Sequence, residues 1–367
     1  MHRILRRTAL IAASTLAAGL LTSPAAHAAD PSPGLAADWL ELQLTDGLVE
    51  SAQFPGFYDD GLTIDVAFGL QASRAAKGAA IDAIDTALQS RVGDYTGAAP
   101  EAYAGATAKL AVFVQSIGGD ATAYGSDSTN LILKLNRRVS TKTAIKGRIQ
   151  DKSQYGDYAN VIGQAFAVRA LKTAGTGKAD AALGFLLKQQ CRDGHFRLNF
   201  AASTTTTKQG CNAGNPETVS APDTDTTAVA VIQLQALKGK NLKTKRAITK
   251  AVAWLKAHQK SNGAFGGGTT TEGSNTNSTG LAGWALGVAH SCGAAQDAAE
   301  WVARWQVLDD AGPLTGELGA VAYDRPGFNV AAQTDGITDA TRDQWRRATA
   351  QATPALANLV LADCKAS

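Results

Sequence analysis

The sequence predicts an all-α protein, an (α/α)6 toroid in which six helical pairs form an inner and an outer ring. Six times along the chain, a stretch with one apolar face is followed, after a polar turn that contains glycine, by a stretch that is apolar on nearly every side. A helix with one apolar face can lie against water, whereas a helix that is apolar all round has to be buried. Each pair therefore supplies one outer and one inner helix, and six pairs are enough for the stack to close on itself.

The outer helix comes first in each pair. The outer helices are predicted at Ala37–Gln43, Ala79–Arg91, Thr129–Val139, Asp180–Gln190, Thr244–Gln259 and Asp297–Trp305. The inner helices are predicted at Leu62–Ala72, Tyr103–Ile117, Tyr158–Ala174, Thr226–Lys238, Thr279–His290 and Thr341–Ala362. Because the ends of the inner helices surround the centre of such a ring, we expect a ligand-sized cavity there.

The N-terminus has the pattern of a secretory signal peptide. Arg3, Arg6 and Arg7 precede the apolar stretch Thr8–Leu21, and Ala26–Ala28 has the small-x-small pattern of a cleavage site. The apolar stretch is too short to span a bilayer stably. We therefore expect the mature chain to be secreted.

The remaining chain carries no linker and no second long apolar stretch. We predict a signal peptide over residues 1–28, a short tether over 29–36 and one toroid domain over 37–367, without an integral membrane segment in the mature chain. Removing the three leader arginines leaves 32 basic and 32 acidic residues. A net charge near zero gives no electrostatic case for a nucleic acid or an anionic membrane as partner, and we expect a monomer.

Four cysteines suit an oxidising compartment, and the sequence leaves three pairings open: they are Cys191, Cys211, Cys292 and Cys364. We favour Cys191–Cys211, which would close the Thr-rich loop Ala201–Asn215 and stabilise the fold by roughly 3 kcal/mol. Cys292–Cys364 would then join the end of the fifth inner helix to the C-terminus. No histidine lies at ligand spacing from either pair, so we expect no metal and no cofactor.

Two turns that follow outer helices share one plan. Segments 185–196 and 254–265 each contain an apolar anchor, a glutamine near the helix end, an Asp-Gly or Asn-Gly turn and a phenylalanine, and segments 39–48 and 301–306 are weaker copies. The glutamine can bond terminal backbone groups of a helix, and the glycine can adopt positive φ. These turns resemble the QW repeats of squalene cyclases and of the β-subunits of protein prenyltransferases.

A second segment extends this resemblance. Pro222–Val231 is similar to the acid-motif segment of squalene–hopene cyclases, which opens an inner helix. The resemblance implies an (α/α)6 toroid of the terpenoid cyclase/prenyltransferase superfamily. In those cyclases the middle carboxylate of the motif protonates an alkene, so the resemblance gives this role to Asp225, with Asp223 beside it; the family's third acid is Thr226 here.

The same acids also fit helix capping. Asp or Thr before an apolar helix accepts hydrogen bonds from its free N–H groups, and other predicted inner helices begin alike, after Gly156-Asp157, Asn277-Ser278 or Asp339. These starts would converge on one rim of the ring. We therefore expect a rim of carboxylates with raised pKa values, formed by Asp59, Asp60, Asp157, Asp223, Asp225 and Asp335.

The inner helices offer few rings, because aromatic residues make up 6 % of the chain. The rings on inner helices are Phe68, Phe113, Phe166, Trp284 and Trp345. Of these, we expect Phe68, Phe166 and Trp284 to contact a ligand. Such a wall suits an apolar ligand better than a carbocation, which needs several rings.

We therefore expect a secreted, non-catalytic toroid that binds an apolar or amphipathic molecule, or a partner, at the inner-helix rim. The alternative is an enzyme: a terpenoid cyclase-like isomerase with Asp225 as general acid, or a glycoside-active (α/α)6 barrel that uses two rim carboxylates. The long connection Pro313–Asp339 is either a lid over this rim or a disordered segment. The glycine run Gly266–Gly268 is expected to be a flexible loop.

Overall fold

The structure, a computed structural model, describes residues 28–213, 220–360 and 364. The predicted signal peptide, apart from its last residue, lies outside the described residues. Within the described ranges the chain is helical, and β pairing is limited to isolated bridges in the turns. No described helix combines the length and the apolar character that crossing a membrane requires.

Six inner helices form a closed ring. They are α2 (Asp60–Ala72), α5 (Ala104–Ser116), α7 (Val161–Thr173), α9 (Thr224–Gln235), α11 (Thr276–Val288) and α14 (Asp339–Leu356). Each contacts the next in this order, and α14 packs against both α11 and α2. The closed toroid predicted from six helical pairs is therefore confirmed.

The outer helices pack on the inner ring. They are α1 (Pro33–Glu41), α3 (Gly78–Gln89), α6 (Leu131–Arg138), α8 (Ala179–Lys188), α10 (Leu242–His258) and α12 (Cys292–Ala303). The connections carry two shorter helices, α4 (Val92–Thr96) and α13 (Arg325–Gln333), and 3-10 turns at Thr143–Ile145 and Gly312–Leu314. The core lies between the two rings, where Trp39, Phe113 and Phe185 are at most 1 % exposed. Burying such rings provides the main free energy that holds the layers together.

Glutamines join one outer helix to the next. The Nε2 atom of Gln190 donates to the carbonyls of Gly194 (2.9 Å) and Ala247 (2.8 Å), the latter in α10. Gln259 does the same with Gly263 (3.0 Å) and Ala294 (2.9 Å) in α12. The turn glycines have positive φ, and a Cβ at either would collide with the backbone of the following outer helix.

The last turn uses this device to close the ring. Nε2 of Gln306 donates to the carbonyls of Gly319 (3.2 Å) and Ser32 (2.9 Å), and Ser32 is the N-cap of α1. The side-chain hydroxyl of Ser32 accepts a hydrogen bond from the N–H of Leu35 at 3.2 Å. Residues 29–36, predicted as a tether, are partly helical. The helix α1 begins at Pro33, because Ser32 caps it and proline suits the first position of a helix.

Both favoured disulfides are present. Cys191 is bonded to Cys211, and Cys292 to Cys364. The second bond links the start of α12 to Cys364, so this residue is fixed to the outer ring. The expectation that it joins the end of the fifth inner helix is off by one short turn, because α11 ends at Val288.

Three predicted helix starts are displaced. Asn160 caps α7, Asn275 caps α11 and Thr338 precedes α14, instead of Asp157, Asn277-Ser278 and Asp339. At α7 and α11 an asparagine side chain accepts from the N–H three residues later, at 3.0 Å and 2.8 Å. An asparagine at this position satisfies a terminal donor as well as an aspartate does.

Candidate functional site

The centre of the ring holds a cavity of about 440 Å³. Its walls come from all six inner helices and from the turns at their N-terminal ends. The apolar wall is formed by Ile162, Val229, Ile232 and Leu281, together with the aromatic residues. A volume in this range fits a ligand of ordinary metabolite size.

Three of the predicted contact residues line this cavity together. The rings of Phe68 and Phe166 are stacked with centroids 6.1 Å apart and an interplanar angle of 11°. Trp284 completes the aromatic wall from α11. Phe113 and Trp345, by contrast, are at most 2 % exposed. They belong to the core of the fold and do not line the cavity.

Asp223 and Asp225, the two acids of the α9 motif, have different environments. Asp223 is the N-cap of α9, and its Oδ1 accepts from the N–H of Thr226 at 2.7 Å. Asp225, in the first turn of α9, lines the cavity, and its Oδ1 is buried without a hydrogen-bond partner among the described residues. Burial raises the pKa of Asp225 to about 6; the Ser278 hydroxyl opposes this shift and the charge of Asp223 adds to it. A carboxyl with such a pKa exchanges a proton readily near neutral pH.

The glycine run covers these acids from one side. A Cβ at Gly267 would lie 3.1 Å from Oδ2 of Asp225 and 2.9 Å from Oγ of Ser278, and one at Gly268 would collide with Oδ2 of Asp223. The N–H of Gly267 donates to the carbonyl of Thr271 at 2.7 Å, and the N–H of Thr271 donates to that of Gly268 at 2.9 Å. The loop expected to be flexible is thus a hydrogen-bonded turn that fits against Asp225 because it has no side chains there.

Two further carboxylates line the cavity. Asp65 on α2 pairs with Lys109 on α5 at 2.6 Å, and the ammonium also donates to the carbonyl of Gly61 at 2.9 Å. Asp151 accepts from the N–H groups of Ala104 (2.6 Å) and Tyr158 (3.2 Å), and burial raises its pKa. Of these two acids, only Asp65 has an ion-pair partner among the described residues.

Tyrosines give this end of the cavity additional polar groups. Tyr95, Tyr103 and Tyr158 line it, and the sequence reasoning named none of them as contact residues. Burial, together with the negative charge of Asp65, raises the pKa of Tyr95, so its hydroxyl stays protonated and can donate a hydrogen bond. The cavity therefore has an apolar wall and a hydroxyl- and carboxylate-bearing end.

The structure places the other predicted rim acids outside the cavity. Asp59 caps α2 and pairs with Arg347 at 3.2 Å, Asp60 is bonded to Arg91 at 2.5 Å, and Asp157 pairs with Arg148 at 3.1 Å. The remaining rim acid, Asp335, is exposed in the turn before α14. None of these four lines the cavity, because their arginine partners or the turns draw them to its outside.

The connection Pro313–Asp339 is ordered by contacts on both sides. Glu317 accepts from Trp39 Nε1 at 2.7 Å and pairs with Arg342 at 2.8 Å. The carbonyl of Tyr323 accepts from the N–H of Thr276, at 2.8 Å, where α11 begins. Burial and the negative charges of Asp324 and Asp225 raise the pKa of Tyr323.

A smaller pocket of about 200 Å³ lies at the other ends of the inner helices. It shares Phe68, Gln233 and Trp284 with the main cavity, and it adds Arg169 of α7. Sequence reasoning missed Asp65, Lys109, Asp151 and Arg169. For Asp65, Lys109 and Arg169 a signal exists, since each is a charge inside an otherwise apolar inner helix, a position that charged residues occupy only with a partner or a function.

The sulfurs of Cys191 and Cys211 and the ring of His195 lie within 4.8 Å of one another. The two sulfurs are bonded to each other, and the imidazole is satisfied by Asp193 at 2.9 Å and by the carbonyl of Ser220 at 2.9 Å. Only a free thiolate binds a metal, and here both sulfurs are used in the disulfide. We therefore interpret this group of side chains as structural.

No family model and no curated protein matches the chain in sequence. Solved structures match it in fold. The type II terpene cyclase MstE from Scytonema aligns with a TM-score of 0.58 at 14 % identity, over 89 % of this chain and 96 % of its own. Other structures of MstE variants contain geranylgeranyl dihydroxybenzoate, described as its substrate.

Two other similar structures have a different chemistry. An unsaturated glucuronyl hydrolase specific for heparin aligns with a TM-score of 0.59 at 12 % identity, over 89 % of this chain and 95 % of its own. The unsaturated glucuronyl hydrolase from Bacillus sp. GL1 aligns with a TM-score of 0.55 at 13 % identity, over 89 % of this chain and 94 % of its own. Since toroids with such different substrates match equally well, the likeness identifies the fold and leaves the chemistry to the site. The chain has the (α/α)6 toroid fold that type II terpene cyclase MstE and the unsaturated glucuronyl hydrolases share.

Proposed function

We propose that this chain is a secreted, monomeric toroid protein that binds one apolar or amphipathic small molecule in its central cavity without converting it. The observation that carries the proposal is the two-sided lining of the cavity: stacked Phe68 and Phe166 with Trp284 on one side, and hydroxyl and carboxylate groups at one end. Apolar walls with a few polar groups that fix orientation are typical of small-molecule sites. The two disulfides favour an oxidising compartment, which supports secretion.

The experiment is a calorimetric titration of the purified protein with 1-dodecanol, a neutral amphipathic probe. We expect saturable binding of one molecule per chain. Ala106→Trp places an indole in the cavity from α5 and should abolish binding. Ala79→Trp, on the exposed surface of α3, is the matched control and should bind as the wild type does.

Absence of saturable binding, or equal binding by Ala106→Trp, would refute the proposed site. Recovery of the protein from culture medium with Ala29 at its N-terminus would support secretion, and an unprocessed cytoplasmic protein would contradict it. A sedimentation profile with a single species near the mass of one chain would support the monomer, and a stable dimer would contradict it.

The second candidate function is an enzyme with Asp225 as general acid. The specific observation that favours it is the unpartnered, buried Oδ1 of Asp225 together with a pKa raised to about 6. A carboxyl of this pKa is a weaker acid than an ordinary aspartic acid, which suits protonation of a glycosidic or enol-ether group better than protonation of an isolated alkene. Asp151 or Asp65 would then supply the second carboxylate of the cavity.

The enzyme candidate is tested with two substrates of the similar folds. Wild type and Asp225→Asn are incubated with geranylgeranyl dihydroxybenzoate and with an unsaturated glucuronyl disaccharide, and products are measured by mass spectrometry. Turnover that disappears in Asp225→Asn would support the enzyme and overturn the non-catalytic proposal. Intact substrates after prolonged incubation would count against this candidate.

A further inference from the structure

Arg169 is a cation in the lumen of the ring without an acid to balance it. Its Nη1 donates to Oε1 of Gln233 at 3.2 Å, and it forms no ion pair with any described residue. Burial lowers the pKa of its guanidinium, although an arginine stays charged at any physiological pH. Four of its five N–H donors therefore have no described protein acceptor.

The other cations of the inner ring are paired. Lys109 lies 2.6 Å from Asp65, and Arg346 lies 2.8 Å from Asp343. Arg169 is half-buried, so its guanidinium loses part of its water without gaining a counter-charge from the described residues. A position of this kind is expected where a ligand supplies the missing charge.

The pocket around Arg169 is suited to a small anionic group. It measures about 200 Å³, and its lining offers two amides, Gln71 and Gln233, but no carboxylate. The amide nitrogen of Gln233 donates to no described residue, so it can donate to the same anion as Arg169. A guanidinium beside an amide donor binds the two oxygens of a carboxylate in a fixed geometry.

This pocket adjoins the main cavity. Phe68, Gln233 and Trp284 line both, so these three side chains form the boundary between the two spaces. Asp225 and Gln233 are eight residues apart on α9, which corresponds to roughly 12 Å along the helix. A chain of about that length can reach from Arg169 past the rings to the acidic end.

We propose that the ligand of this lumen is a long-chain monocarboxylate, with its carboxylate bound by Arg169 and Gln233 and its apolar chain along Phe68, Trp284 and the main cavity. This inference rests on the proposed function, because it names the class of molecule that the same cavity takes. A diphosphate does not fit the arrangement, since its several negative charges would meet one arginine and no second cation in the lining. The acidic groups at the opposite end also exclude the reverse orientation, with the carboxylate beside Asp65, Asp151 and Asp225.

The experiment compares dodecanoate with 1-dodecanol by calorimetry at pH 8, on the full mature chain. The two probes have the same apolar chain and differ in the charged head. We expect the wild type to bind dodecanoate about tenfold to a hundredfold more tightly than 1-dodecanol, as a charge-assisted hydrogen bond provides. Arg169→Gln should lose this preference and keep its affinity for the alcohol.

Two further variants serve as controls. Arg169→Lys keeps the charge without the paired donors and should retain part of the preference. Arg246→Gln makes the same change at an exposed position of α10 and should leave both affinities unchanged. Thermal unfolding of Arg169→Gln without ligand should show equal or higher stability, because an unbalanced charge is removed; a marked loss would indicate a structural role and contradict the proposal.

The outcomes separate this inference from the proposed function. If 1-dodecanol binds and dodecanoate binds no more tightly, the cavity is a binding site but the carboxylate assignment is wrong. If the preference persists in Arg169→Gln, the head group binds elsewhere and the inference is wrong. If neither probe binds, the proposed function fails and the inference fails with it.

Discussion

Two inner helices, α2 and α9, begin with the same pattern and use it differently. Each has an aspartate as N-cap and a second aspartate in its first turn, Asp59 and Asp60 in one, Asp223 and Asp225 in the other. In α2 both carboxylates face arginines, whereas in α9 neither has an ion-pair partner among the described residues. An acid that is balanced in this way holds the fold together, and a buried acid left unbalanced is a candidate for function.

The largest predicted effect on stability comes from removing the counter-charge of Asp60 in α2. Arg91→Gln leaves Asp60, which is 6 % exposed, without its counter-charge. We expect a loss of about 3 to 4 kcal/mol in the free energy of unfolding at pH 8, measured by urea denaturation. Arg347→Gln is the matched control, because its pair with Asp59 is more exposed; it should cost less than about 1 kcal/mol. Equal effects of the two changes would contradict the assignment of Asp60 as the structural acid.

In α9, removing a charge is predicted to increase the free energy of unfolding instead of lowering it. The pKa of Asp225 in the folded chain, about 6, exceeds its usual value of 3.8, so the folded state binds the proton more tightly than the unfolded state. This contribution to stability is present below about pH 4 and is lost as the pH rises through 6. Asp225→Asn should therefore raise the free energy of unfolding by up to about 3 kcal/mol at pH 8 and leave it nearly unchanged at pH 4.

Urea denaturation of wild type and Asp225→Asn across this pH range measures the difference. A gain that is independent of pH would show that the substitution acts through packing and not through the charge. A loss at pH 8 would mean that the carboxylate has a partner and is structural, as Asp60 is.

A smaller effect is predicted for the turn that covers Asp225. Gly267→Ala would push a methyl group against the Thr271 hydroxyl of the same loop and toward Ser278 and Asp225, and we expect a loss of about 1 to 2 kcal/mol. Gly273→Ala changes the same loop where nothing lies within 4 Å, and it should stay within about 0.5 kcal/mol of the wild type. Equal stabilities of the two variants would show that the turn is not tightly packed at Gly267.

Much of the fold follows from periodicity and composition. The six pairs, the closed ring and both disulfides were predictable, because helices that are apolar on every side have to lie inside and four cysteines allow only three pairings. Cap positions were less predictable: the start of α7 shifted from Asp157 to Asn160, since aspartate and asparagine are both favourable N-caps and the sequence offers both.

The site was predictable only in part. Asp225, Phe68, Phe166 and Trp284 come together in the cavity, as expected for residues of inner helices. The rim acids could not be sorted from one another, because the arginines that balance them come from other turns of the ring. Arg169 was overlooked, although a charge inside the apolar part of α7, before the basic last turn at Lys172, is itself a signal.

The most direct test is a crystal structure of residues 29–367 grown with dodecanoate. We expect continuous density for one molecule along the lumen, with its carboxylate within hydrogen-bond distance of Arg169 and Gln233 and its chain against Phe68 and Trp284. An empty or side-chain-filled lumen, or a carboxylate bound at the Asp225 end, would contradict the account.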